Sequence, residues 1–385
     1  MESGYQNFDY QGSDPSLGSI GQTASKSTIT FLIVTLALTI FGLVQLYSAS
    51  YNEALLNGVP HYYYVVRQLQ FVGLAAIGST IIIFLPSKVL KAFAWPLAVA
   101  VLVLLLLTVF TPYGQEKFGS RRWLRIGPLP ALQPSEFAKL ALILLFASYQ
   151  GKPKKILLPA AVAFLYAALI FLQRDYSTML LVVVLAFSML LYSGVRLTKV
   201  VLLLLFLIPP LFAALFSQAY RIRRVAAFFF PSLDPSGMNY QVNISLKAIS
   251  AGKLFGVGLG QGTYKLGTLP EVHSDFIIAS VAEELGFIGI FFILLFFFLY
   301  ALLGYNGARR MIERDRFLSA LSFGATTMVL TQAILNLAVI TSLAPPTGIP
   351  MPFFSQGGTN MFVILITSAL ILNVLRNANR KEEAR

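Results

Sequence analysis

The sequence predicts an all-α polytopic membrane protein of about ten transmembrane helices, with a large extracytoplasmic loop between the seventh and eighth. Two observations predict it. Of 385 residues, 57% are hydrophobic and only 12% charged, about half the charged fraction of an ordinary soluble domain, roughly 25%. Apolar runs of about 20 residues, enough to cross a hydrocarbon core about 30 Å thick, recur along nearly the whole chain. The runs are continuous and do not alternate in short segments, so they read as helices with internally satisfied backbones and not as barrel strands.

The first 29 residues are polar, rich in Ser, Gly and Tyr, and lack the basic start of a secretory signal. They read as a disordered cytoplasmic tail before an uncleaved anchor. One transmembrane domain is expected over 30–376, followed by a tail at 377–385. Its spans are placed at 30–50, 66–85, 89–110, 134–150, 155–173, 176–194, 198–217, 275–302, 316–342 and 357–376. Ten spans put both termini on one side, and the basic residues say which. With the N-terminus inside, every short inside segment carries Lys or Arg, among them Lys88 and Lys91, Lys152 and Lys155, Arg196 and Lys199, Arg309 and Arg310, and Arg376. That is the positive-inside pattern. It accounts for much of the net charge of +13 without a nucleic-acid partner. The chain has no cysteine, which suits loops in an oxidising compartment.

Two outside loops break the pattern. Loop 111–133 holds Lys117, Arg121, Arg122 and Arg125, and loop 218–274 holds Arg221, Arg223, Arg224, Lys247, Lys253 and Lys265. Long loops translocate whatever their charge, but 111–133 is short. Guanidinium groups there suit a phosphate or diphosphate held at the outer leaflet. The third outside loop, 343–356, has no charge and reads either as a rigid wall of a site or as a merely structural loop, its prolines and glycines tolerated at membrane depth only against protein or a wet cavity.

GSRRWLRIGPLPALQPSEFAKLALIL, residues 119–144, joins the Arg-rich loop to a span. Pro134 suits a first helical turn, and Glu136 is favoured by the helix dipole. Lys139 lies three residues on, over the same face. The pair is either internal to one helix or borders a polar cavity, and Trp123 sits where an interfacial anchor would. Arg174 and Asp175 read as a solvated turn. GKLFGVGLGQG, 252–262, lacks the strand and helix of a nucleotide-binding loop and reads as flexible or re-entrant.

Four acids fall in LPEVHSDFIIASVAEELGFIG, 269–289: Glu271, Asp275, Glu283 and Glu284. Asp275 would lie at the outer end of the eighth span, either capping the helix or acting as a general base beside the basic loop. His273, two residues away, is a second candidate base. Glu283 and Glu284 lie about 12 Å deeper at 1.5 Å per residue. At least one must face a polar interior. One or the other is expected to line the cavity below Asp275 and hold helices together.

In series, these segments resemble the SEDS family (shape, elongation, division and sporulation) of bacterial cell-wall polymerases over nearly all of 30–376. The motifs are LYSAS at 46–50, the 119–144 stretch, YQVNISLKAISAGKLFGVGLGQG at 240–262, the 269–289 stretch, and QAILN with PPTGIPMPFFSQGG at 332–336 and 345–358. Three motifs depart from the family pattern: Ser274 stands for Thr, RDYST at 174–178 for PDLGT, and SQGG at 355–358 for SYGG. The resemblance implies a glycosyltransferase of the bacterial inner membrane. It would polymerise lipid II, the undecaprenyl-diphosphate-linked disaccharide-pentapeptide, into β-1,4 strands with inversion. Asp275 is the essential acid it implies. Arg121, Arg122, Trp123, Glu136, Lys139, Arg223, Arg224, Gln241, Glu271, His273, Ser274 and Ser355 are the expected substrate contacts. It leaves room for a divalent cation, Mg or Mn, with no protein metal ligand. It implies as partners a class B penicillin-binding protein transpeptidase and other division or elongation membrane proteins. GVGLGQG and AEELGFIG lean toward the FtsW branch. The alternatives are a lipid II flippase and a scaffold without activity.

Overall fold

The computed structural model describes residues 15–383 apart from 118, 128–129, 153–154, 204, 206–237 and 267–271. It is a helical bundle in element order α1 Pro15–Leu56, α2 Tyr63–Phe84, α3 Ser87–Ala92, α4 Ala94–Phe110, a hairpin of β1 Gly114–Lys117 and β2 Ser120–Leu124, then α5 Pro134–Ser148, α6 Leu157–Leu172 and α7 Tyr176–Tyr192. After the undescribed stretch come α8 Met238–Gly252, α9 Ile277–Met311, α10 Arg316–Ile340 and α11 Gly358–Glu383.

Among the described residues, six helical segments are long and apolar enough to cross a membrane: Lys26–Leu56, Tyr63–Phe84, Ser87–Phe110, Ile277–Met311, Arg316–Ile340 and Gly358–Asn379. Helices α6 and α7 are shorter apolar helices, and α5 is buried along almost its whole length. The expected span at 198–217 falls largely outside the described residues. The tail expected to be disordered through residue 29 is instead helical from Pro15. No proline follows that point before the first span, and adding one helical residue to an existing helix costs little.

The core is a seam between helices. Helix α11 packs against α1, α2 and α10, and α5 against α4, α7 and α10. Outward faces carry exposed Ile, Leu, Val and Phe, as a lipid-facing surface would. Polar side chains point into the seam: Asn373 donates to the carbonyls of Ile82 (2.8 Å) and Leu85 (2.8 Å) where α2 ends.

Two departures from simple helices shape one end of the bundle. Loop 111–133, expected only as a loop, folds into the hairpin, which has a bulge between Gln115 and Lys117. The Arg121 guanidinium donates inside it to the carbonyls of Thr111 and Gly114.

The second is a break in α9 at Gly286 (φ 66°, ψ −163°), a conformation that favours glycine. The backbone groups freed there pair with the glycine-rich segment after α8. Val257 and Gly258 N–H donate to the carbonyls of Glu283 and Glu284, and Phe287 and Ile288 N–H donate to those of Lys253 and Leu254. The segment expected as flexible or re-entrant is thus stitched to a broken helix, which satisfies backbone that lipid could not. At Gly252 a Cβ would overlap the Ala282 carbonyl, so a side chain there would part the two.

Glu283 and Glu284 belong to this stitch and not to a cavity below Asp275. The Glu283 carboxylate accepts from the N–H groups of Thr263 (2.5 Å) and Tyr264 (3.2 Å). Glu284, fully buried, pairs with Lys265 (2.5 Å) and accepts from Ser48 Oγ (2.7 Å). Neither acid lines the cleft at Asp275, where one of them is expected. The returning loop supplies their partners instead.

Candidate active site

A cleft of about 440 Å³ lies where α1 ends and α2, α5, α7 and α11 begin. Asp275 lines it, half-buried, two residues ahead of the first residue of α9. The N-cap of α9 is Phe276, so Asp275 is not spent on capping the helix. Its main chain is held in place from α10: Asn336 Nδ2 donates to the Asp275 carbonyl (2.8 Å) and to that of Ile349 (2.8 Å). Its Oδ1 accepts from Ser274 Oγ (3.2 Å). Gly348 passes so near that a Cβ there would lie 3.2 Å from Asp275 Oδ2, which leaves one edge of the carboxylate against backbone.

The uncharged loop 343–356 is a wall, as its composition suggests. Ser355 Oγ donates to the Ser274 carbonyl and accepts from Met351 N–H (2.7 Å), so it braces the turn that carries Asp275. Gln332 donates to the Pro350 carbonyl (2.9 Å) and to Asn360 Oδ1 (2.9 Å), and accepts from Lys139 Nζ (2.9 Å). Lys139 is buried and also pairs with Glu136 (2.9 Å). Glu136 faces the cleft, and Lys139 lies behind it as its counter-charge.

Guanidinium groups form another part of the lining. Arg122 and Trp123 reach it from β2, and Arg67 from α2 beside Gln68. Arg121, expected there, turns back into its own hairpin, where the carbonyls of Gly114 and Thr111 hold its guanidinium. Gln241 sits half-buried on α8 and does not line the cleft. Arg223, Arg224 and Glu271 lie outside the described residues.

Sequence reasoning missed Glu53, Tyr64, Arg67 and Gln133, all of which line the cleft. Arg67 had a signal: one arginine inside a predicted span is rarely lipid-facing. Asp175, expected in a solvated turn, is 3% exposed. The turn is capped by the hairpin, where Arg121 N–H donates to the Gln173 carbonyl (2.9 Å), a contact between segments 52 residues apart.

His273 also lines the cleft, buried, its ring tilted against Tyr64 at 5.4 Å. Burial pushes its pKa below the usual imidazole value, against the upward pull of Glu53 and Asp275. The unfolded chain takes up this proton near pH 6.5, the folded chain only at lower pH. In that interval the unfolded state binds more protons. Stability is therefore expected to fall as the pH drops below about 6.5, and to show no His273 contribution to its pH dependence above that. Melting temperatures in detergent at about pH 7.5 and 5 check this: the wild type should lose more than His273→Phe. Equal losses would contradict it.

The cleft can therefore hold an acceptor hydroxyl at a carboxylate, with fixed cations for an anionic leaving group. Comparison with known proteins bears on which reaction that is. The family model described as cell cycle protein, of the FtsW, RodA and SpoVE type, matches residues 28–380. A probable peptidoglycan glycosyltransferase FtsW of Trichlorobacter lovleyi is 34% identical over 354 residues, covering 90% of this chain and 92% of its own. A chain of a peptidoglycan synthase complex that coordinates polymerization and crosslinking aligns with TM-score 0.75 at 27% identity, over 91% of this chain and 97% of that one. The rod shape determining protein RodA of Thermus thermophilus aligns with TM-score 0.65 at 26% identity, over 90% and 96%.

Proposed function

The chain belongs to the SEDS family of FtsW- and RodA-type peptidoglycan glycosyltransferases, which act in cell division or elongation, and from that premise we propose that it polymerises lipid II with Asp275 as general base. The observation that carries the reading is one cleft that brings Asp275 together with Arg122 and Arg67.

The chemistry follows from those groups. Asp275 takes the proton of the acceptor sugar hydroxyl as the oxygen attacks the donor's anomeric carbon. The bond from that carbon to the diphosphate breaks, and the diphosphate leaves with the electron pair. Its growing charge meets Arg122 and Arg67, donors fixed before the reaction begins. Attack from the face opposite the leaving group turns an α-linked donor into a β-linked strand. Trp123 and Tyr64 offer aromatic faces for the sugars. Among the described residues, no group of three or more His, Asp and Glu side chains is arranged to hold a metal ion. A cation carried on the diphosphate would belong to the substrate.

The membrane placement proposed is the bacterial inner membrane with both termini cytoplasmic and the cleft outside, supported by the basic residues Lys88, Lys91, Arg196, Arg309 and Arg310 at the opposite helix ends. The partner proposed is a class B penicillin-binding protein transpeptidase, supported by the likeness to a chain of a synthase complex. Purified protein incubated with lipid II, with and without that partner, tests the reading. Glycan chains are expected. Transbilayer movement of lipid II without chains would replace the enzyme with a transporter, and activity in cells that survives loss of Asp275 would replace it with a scaffold.

A further inference from the structure

Resting on that reading of the cleft, we propose that Asp175 is a positioning residue: its buried carboxylate holds the Arg122 guanidinium where the departing diphosphate needs it. Asp175 Oδ1 lies 3.8 Å from Arg122 Nη1, and the side-chain exposures are 1% and 25%. The carboxylate is thus the inner member of the pair and the guanidinium the member that reaches the cleft.

Three segments meet at this carboxylate. Oδ1 accepts from Thr178 N–H (3.3 Å) and caps α7, while Oδ2 accepts from Gln133 Nε2 (3.2 Å) and Ser135 Oγ (3.4 Å) just before and at the start of α5. Arg122 brings the hairpin. One residue earlier, Arg121 N–H is bonded to Gln173 two residues before Asp175. The same turn therefore grips the hairpin by main chain and by side chain. Capping alone would not call for a charge, since Asn and Ser cap about as well. A buried carboxylate is costly unless a cation answers it. The adjacent Arg174 is turned away, pairing with the exposed Glu116 at 3.6 Å. Arg122 Nε is buried with no hydrogen-bond partner among the described residues, so no hydrogen bond from Nε fixes the guanidinium plane. The carboxylate's field on Nη1 is what sets its direction.

The test is a double-mutant cycle on lipid II polymerisation with full-length protein: Asp175→Asn, Arg122→Ala and the pair. Asp175→Asn should keep the α7 cap and the melting temperature. Turnover should fall roughly tenfold to a hundredfold, the scale of misplacing a catalytic group by about 1 Å, with KM for lipid II little changed. In the Arg122→Ala background the same change should cost nothing further. Should Asp175→Asn fold poorly, Asp175→Ser keeps a capping oxygen and takes its place in the cycle. Wild-type turnover in the Asn or Ser variant overturns the proposal, and so does a loss undiminished by Arg122→Ala. Those outcomes differ from failure of the underlying reading, in which the wild type makes no glycan or Asp275→Asn polymerises normally.

Discussion

Asp275→Asn is expected to stop glycan polymerisation, with turnover falling by about 10²- to 10⁴-fold, the usual worth of a positioned general base. The substitution is nearly isosteric, and two contacts at this residue survive it. Asn336 grips the main chain at Asp275, not the side chain, and an amide oxygen can still accept from Ser274 Oγ. Phe276 and not Asp275 occupies the N-cap of α9. What disappears is the capacity to take up a proton. Expression, membrane insertion and melting temperature should match the wild type while chains from lipid II vanish. Polymerisation at the wild-type rate by the Asn variant would remove Asp275 from the reaction.

Breaking the Lys265–Glu284 pair is expected to have the largest effect on stability. Lys265 is 7% exposed and Glu284 fully buried, and Ser48 Oγ sits between them, donating to the carboxylate and accepting from Lys265 Nζ (2.8 Å). Removing one partner leaves an unanswered buried charge, a cost of about 3–5 kcal/mol. Glu284→Gln or Lys265→Met alone should therefore sharply lower the melting temperature in detergent. The double variant should recover most of the loss, because replacing both charges removes the desolvation cost along with the attraction. The loss has a structural address: segment 253–266 would loosen from the break at Gly286, where its amides and carbonyls serve α9. A double variant as unstable as the worse single one would mean that the pair is not what clamps the segment.

Part of this molecule was legible in its residues. Long apolar runs can be satisfied only as helices in lipid, so the spans around 66–85, 89–110, 316–342 and 357–376 appear close to where they were read. Asp275 could be placed at a helix mouth because a polar cluster ran straight into an apolar block. The uncharged loop 343–356 became a wall because prolines and glycines without charge suit backbone held against protein. The choice among arginines was not legible. Arg121 and Arg122 are chemically identical, and only the hairpin, a pairing of residues the apolar pattern does not reveal, sends one inward to Thr111 and Gly114 and the other to the cleft.

The amino-acid order alone determined a helical membrane protein, the family it belongs to, and the carboxylate on which its chemistry is proposed to turn. Hydrophobic length and local helix chemistry are properties of neighbours in the chain. Tertiary structure decided which charges meet: Arg122 with Asp175, Lys265 with Glu284, Arg67 with the cleft. Those meetings depend on segments from Ser48 to Asn360 converging at one end of the bundle. An ionisable group's partner there is set by packing in three dimensions, which no spacing along the sequence records.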